Sequence, residues 1–259
     1  MTDHPDDLTI LTLFSGESPL FRPYWDALRR LRKPGRVQLL FIDNSDDPNF
    51  YGALKGTGGE VFRFPGKLRL EDIDWSLAED YMKVPRHCAK LYHFAKPHVR
   101  GRRLLIWEHD VIPPPDALAR LERCALSKRA DIVSGAILSR RLTEYQAWRV
   151  REGKPERGIW FVPLIRKPKR VFATGFGFLL LDSKWFREMP VCVQSEGLPF
   201  WGCDLNAGYW AFQRGLRWFA EGSVRCAHLE PDGHAIQLGH VRDLRRGRLL
   251  NLAGKESDL

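Results

Sequence analysis

An α/β fold, a mostly parallel central sheet flanked by helices, is what this chain predicts, and three observations predict it. The apolar runs are short and continuous, as in strands buried on both faces, rather than strictly alternating. Stretches with helical spacing separate them, so the opening order is strand–helix–strand. The 259 residues, 44% of them apolar, suffice for one large core.

Leu8 to Phe14 is the first run and ends at Ser15-Gly16. Ser18-Pro19 opens a helix over Leu20 to Leu31, which Pro34-Gly35 breaks. Val37 to Ile42 is a second strand, running into the polar turn Asp43-Asn44-Ser45-Asp46-Asp47-Pro48. A glycine-rich loop at Gly56 to Gly59, a strand Val61 to Phe64 and a connecting segment precede a helix that follows Pro85. Leu104 to Trp107 is a strand that stops abruptly at Glu108-His109-Asp110. Pro113 to Pro115 and Asp116, a suitable cap, then start a helix over Ala117 to Leu126. Asp131 to Ile137 is apolar again, 139–170 is a basic, polar excursion, and regularity returns with Val171 to Leu181. A helix Ser183 to Glu188 and a loop Gln194 to Gly202 follow. A helix Cys203 to Gln213, stopped by Gly215, leads to a strand Leu216 to Ala220 and a short one ending near His228. The tail from 241 is arginine-rich, and there is no internal repeat or low-complexity tract.

The balance of 41 basic and 32 acidic residues gives +9, which suits either a solvated basic surface or an anionic partner. The basic clusters at Arg29 to Arg36, Arg166 to Arg170 and Arg242 to Arg248 carry no nucleic-acid-binding signature, so no nucleic acid is expected. Five cysteines, an odd number without a CxxC, suggest neither a disulfide framework nor a zinc knuckle. No signal peptide opens the chain and no apolar run reaches the roughly 18–20 residues of a membrane span. The expected location is the reducing cytosol.

Three segments carry candidate chemistry. In Leu-Leu-Ile-Trp-Glu-His-Asp, two acids two apart on a strand end share a face and suit a divalent cation that a diphosphate completes; a merely polar strand end is the plainer reading. Asp72-x-Asp74 has the same spacing without a buried strand before it and reads as a helix or turn start. In Leu-Pro-Phe-Trp-Gly-Cys-Asp, Asp204 falls in the first turn of a helix, where an acid is common, but Trp201 offers a flat face to a sugar ring and Gly202 allows close approach. His228 ends an apolar strand, while the spacing of His234 and His240 matches no familiar ligand geometry.

Over roughly residues 8–228 these pieces resemble a nucleotide-sugar-dependent glycosyltransferase with the GT-A fold, closest to the family 2 type. The resemblance rests on Leu13-Phe14-Ser15, Ile42-Asp43-Asn44-Ser45, Glu108-His109-Asp110 with Pro113 to Asp116, Cys203-Asp204 with Gly215, and His228. The intervals of 11 residues from Asp204 to Gly215 and 13 from Gly215 to His228 are typical of the family. Glu108, Cys203 and Asn206 depart from its usual acids at those positions.

The resemblance implies a single Rossmann-like GT-A domain over 1–228, with 229–259 a basic C-terminal extension packed on or near the active site. It implies a metal-dependent, inverting hexosyl transfer from a nucleotide-diphosphate sugar, UDP favoured, to a hydroxyl of a glycan or lipid-linked acceptor. Asp110 and His228 would hold Mn²⁺ or Mg²⁺, Glu108 the ribose or a metal-bound water, and Phe14, Ser15 and Asp43 the base. Arg86 and Lys90 would meet the phosphates, Trp201 and Gly202 the acceptor, and Asp204 would be the general base. The arginines of the tail, interleaved with Leu244, Leu249 and Leu250, fit a peripheral contact with an anionic membrane face. Two alternatives stand beside this. A sugar-phosphate nucleotidyltransferase needs a glycine-rich phosphate loop that Ser15-Gly16-Glu17-Ser18-Pro19 lacks, and a non-catalytic carbohydrate or nucleic-acid binder would have to use the nine tryptophans, without a recognisable stacking module.

Overall fold

The computed structural model describes residues 7–15, 19–33, 35–68, 73, 82–138, 145–151, 154–162, 166–193, 202–230 and 235–236. Trp201, Asp72-x-Asp74, His234, His240 and the arginine-rich tail lie outside them.

The N-terminal half is built from β1 (Leu8–Phe14), α1 (Phe21–Arg30), β2 (Val37–Asp43), α2 (Pro48–Gly56), β3 (Glu60–Arg63), α3 (Lys83–Ala95) and β4 (Arg103–Trp107). After β4 come β5 (Val111–Ile112), α4 (Ala117–Lys128), β6 (Ile132–Ile137), β7 (Tyr145–Arg151), β8 (Lys154–Val162), β9 (Lys169–Arg170) and β10 (Ala173–Thr174). The chain closes with β11 (Phe178–Asp182), α5 (Ser183–Glu188), α6 (Cys203–Gln213), β12 (Trp218–Leu229) and β13 (Ala235–Ile236). The main sheet has the order β13-β12-β6-β11-β4-β1-β2-β3. β3, β2, β1 and β4 run parallel, β11 is antiparallel to both β4 and β6, and β12 is parallel to β6.

Alternation along the buried strands sends neighbouring residues to two cores. Leu11, Leu104, Ile106, Leu179 and Leu181 pack with Tyr92, Phe186 and Trp210 of α3, α5 and α6. Ile10, Phe14, Leu105, Trp107 and Leu180 pack with Tyr24, Phe50 and Leu121 of α1, α2 and α4 on the other face. The sheet is thus covered on both sides, which is why its strands read as continuous apolar runs.

Four expectations need correction. The turn after β2 opens α2, with the Asp47 carboxylate accepting from the Asn49 N–H and Pro48 at the first helical position. Residues 139–170 contain β7 and β8, which pair antiparallel and, with β10, form a separate three-stranded sheet. Asp116 precedes α4 but makes no side-chain cap; it pairs instead with Arg120, one turn on. The two short strands expected after Gly215 are one strand, β12, whose pairing with β6 shifts register between Glu221 and Arg225.

Candidate functional site

The shift in β12 positions the site. Its first half lies along β6, and beyond the irregularity Ala227 and His228 pair antiparallel with Ile112 and Val111 of β5. The Leu229 N–H donates to the Asp110 carbonyl at 2.7 Å, which brings the His228 and Asp110 side chains together. His228 Nδ1 lies 2.7 Å from the Leu138 carbonyl. A carbonyl only accepts, so Nδ1 carries a proton, and Nε2 lies 3.5 Å from Asp110 Oδ2. A carbonyl that holds one ring nitrogen in this way, leaving the other toward the site, is the usual support of a metal-ligating histidine. A carboxylate oxygen beside an imidazole nitrogen is a donor set that suits a first-row divalent ion. Among the described residues no group of three or more His, Cys, Asp or Glu could hold a metal, so a bound ligand or water would have to complete this pair.

Glu108, His109 and Asp110 sit in a turn between β4 and β5, closed by the Val111 N–H on the Glu108 carbonyl, and not on the strand itself. The period-two reason for placing both acids on one face therefore does not apply. Glu108 is instead held by its own N–H, which donates to the Gly177 carbonyl at 2.9 Å, at the start of β11.

Gly202 precedes α6 and Asp204 occupies its first turn. The Leu205 N–H donates to Asp204 Oδ1 at 2.8 Å. A Cβ on Gly202 would stand 2.4 Å from that oxygen, so only glycine leaves room for the carboxylate in this position. Burial pushes the Asp204 carboxyl up to about 6, outweighing the N–H groups that favour its ionised form.

The two acidic walls share one neighbourhood, as their effects on α3 show. After burial, the charges of Glu108 and Asp204 help push the Cys88 thiol up to about 12. Cys203 is raised well above its ordinary value, chiefly by burial and then by Asp204, Cys88 and Glu108. Tyr92 is likewise raised, by burial first and then by Glu108, Cys203, Cys88 and Asp110. Glu108 and Asp204 thus both act on Cys88 and Cys203, and Glu108 and Asp110 both act on Tyr92, with His228 beside Asp110. Cys88 and Tyr92 join them unannounced, because nothing in the sequence says which face of α3 meets α6.

The other sequence-derived residues lie toward the β1 and β2 ends. Phe14 is 1% exposed as a whole residue: its ring makes edge contacts with Phe21, Tyr24, Phe41 and Phe50, and its carbonyl accepts from the Asn44 N–H at 2.8 Å, so it supports the strand end from within. Ser15 is exposed. Asp43 is fully buried, accepting from the Ser45 N–H at 2.9 Å and pairing with Arg63 at 3.3 Å. His87 Nε2 donates to Asn44 Oδ1 at 2.5 Å, with Asn44 oriented by its amide donating to the Phe64 and Gly66 carbonyls. Arg86 and Lys90 are exposed one turn apart on α3, and Lys90 is close enough to His87 to help lower its pKa, after burial.

By sequence, no family model and no curated protein matches the chain. By structure, it is similar to GalNAc-T7 crystallised with UDP, GalNAc and Mn²⁺, with a TM-score of 0.61 and 13% identity over 88% of this chain and 44% of that one. The chain therefore spans less than half the length of that protein. A197 from STIV is also similar, with a TM-score of 0.47 and 14% identity, covering 88% of this chain and 92% of that one. The fold is that of a GT-A glycosyltransferase. Among the described residues no helix is long and apolar enough to cross a membrane.

Proposed function

We propose that the protein is a nucleotide-sugar-dependent glycosyltransferase that transfers a hexosyl group, with inversion, from a UDP-sugar to a hydroxyl of a glycan or lipid-linked acceptor. The observation that carries this reading is the Asp110–His228 pair where β5 meets β12 in a GT-A fold; the raised carboxyl of Asp204 at the start of α6 adds to it. The UDP and Mn²⁺ of the GalNAc-T7 structure support the choice of donor and ion.

Asp110 Oδ2 and His228 Nε2 are the atoms that would hold Mn²⁺ or Mg²⁺, whose charge would neutralise the departing diphosphate. Asp204 Oδ1 is engaged by the Leu205 N–H, which leaves Oδ2 to take the proton of the acceptor hydroxyl as it attacks the anomeric carbon. A carboxyl that ionises near 6 is a stronger base than an ordinary aspartate and is still ionised at neutral pH. Glu108 orients the ribose or a metal-bound water, while the base meets exposed Ser15 at strand ends that buried Phe14 and Asp43 support from within. Arg86 and Lys90 meet the phosphates, and Trp201 and Gly202 the acceptor sugar. In this reading 1–228 is the catalytic unit and 229–259 an accessory extension that meets an anionic membrane face in the cytoplasm.

Incubating the full chain with Mn²⁺ and a panel of nucleotide sugars, and measuring nucleoside diphosphate release with and without glycan acceptors, tests the reading. UDP release that chelator abolishes is the expected result. Donor binding without any release would make the protein a carbohydrate-binding relative instead.

A further inference from the structure

At the end of α6 opposite to Asp204 the protein has a second cavity, of about 330 Å³. Ala211 and Phe212 line it, and at 1.5 Å per helical residue they stand about 11 Å along the axis from Asp204. The remaining wall comes from Arg149 and Val150 of β7, Arg170 of β9, Val171 and Phe172, Leu216 and Trp218. Phe172 and Phe212 face each other with ring centroids 6.1 Å apart. Phe212 is 42% exposed, one of two large apolar side chains left so open among the described residues.

The polar side chains of this wall are all donors. Arg149 and Arg170 contribute exposed guanidinium groups, and among the described residues no Asp or Glu lines the cavity. Trp218 is 1% exposed, and its indole N–H is buried without a hydrogen-bond partner among the described residues. Such an orphan donor costs roughly 1–3 kcal/mol unless something accepts from it. An apolar, partly aromatic pocket of this size with two guanidinium groups in its wall is complementary to a molecule with an apolar body and a negatively charged head.

We propose that this cavity binds a small amphipathic anion, an aliphatic chain or ring of about eight carbons ending in a carboxylate or phosphate. The head pairs with Arg149 and Arg170, and the body lies against Phe172, Phe212 and Trp218. The site is separate from the donor cleft and does not depend on transferase activity.

Calorimetric titration of the full chain with octanoate, octyl phosphate and octanol tests the proposal. The two anions should bind about tenfold more tightly than the alcohol, and the tighter of the two names the head group. The double variant R149Q/R170Q alters two exposed side chains and should reduce the anions to the affinity of octanol. V150W, confirmed folded by its melting curve, should exclude all three compounds. Equal binding of octanol and octanoate, anion preference retained in R149Q/R170Q, full binding by folded V150W, or no binding by either anion would each overturn it.

Discussion

Asp204 is held between two opposed demands, and both are measurable. Its raised carboxyl means that folding carries the ionised form at a cost. The folded state is favoured most below the ordinary pKa of 3.8, and that advantage is lost as pH rises toward about 6. Asp204→Asn keeps the acceptor for the Leu205 N–H and removes the buried charge, so at pH 8 its melting temperature should equal or exceed that of the parent. Transfer should nevertheless fall by about 10²–10⁴-fold, because the amide cannot take the proton. A variant that melts lower and transfers normally would show a helix-start acid and nothing more. In the parent, kcat/KM should decline tenfold per pH unit below about 6, where Asp204 protonates. The groups facing it, Glu108, Cys88 and Cys203, leave this direction unchanged, since an added negative neighbour only raises it further. His228→Ala should weaken Mn²⁺ binding, read by electron paramagnetic resonance, as well as turnover; unchanged binding would place the ion elsewhere. These acids and His228 were legible because each sits where an apolar run stops. Phe14 was legible in the opposite sense: it shares the parity of Leu8 and Ile10, both core residues, so period two already sends its ring inward. Cys88 and Tyr92 were not, since their place depends on a helix–helix contact that no local pattern encodes.

At the scale of elements, α6 was read to the residue, from its cap glycine to Gly215, whose φ of +70° ends it in a left-handed turn. The sequence does not announce how closely that helix lies on β10. A Cβ on Gly208 would stand 2.5 Å from the Ala173 Cβ and 2.8 Å from the Phe172 carbonyl oxygen, a backbone atom that cannot step aside. Gly208→Ala gains about 1 kcal/mol of helix propensity and incurs about 1–3 kcal/mol of overpacking. The urea midpoint should therefore fall, and transfer with it, because α6 carries Asp204. An unchanged midpoint would mean that helix and strand part at little cost. The β7–β8 hairpin escaped notice for a different reason. Tyr145 and Ala147 alternate inward as a strand requires, but the basic residues around them gave the segment the look of a loop. In β12 the irregularity between Glu221 and Arg225 made one strand resemble two, since a bulge interrupts the alternation that marks strand continuity.

Across the whole molecule, the two-sided burial of a parallel sheet was legible because it follows from composition and order alone, whereas the reversed strand β11 was not. The net charge of +9 bears on the surface rather than the fold. If the tail meets a membrane, the full chain should float with phosphatidylglycerol vesicles at low salt, and a chain lacking 237–259 should not. Equal flotation of both would assign the effect to the globular surface. The order of strands also has a history in time. β4 takes β1 on one side as soon as it is made, but its other neighbour, β11, ends roughly 75 residues later, about 4–15 s of synthesis at 5–20 residues per second. Through that interval Leu104, Leu105, Ile106 and Trp107 form an open, apolar strand edge on the nascent chain, a template for pairing with any other unfinished copy nearby. Slower or sparser synthesis should therefore raise the soluble, active yield, measured at matched total expression.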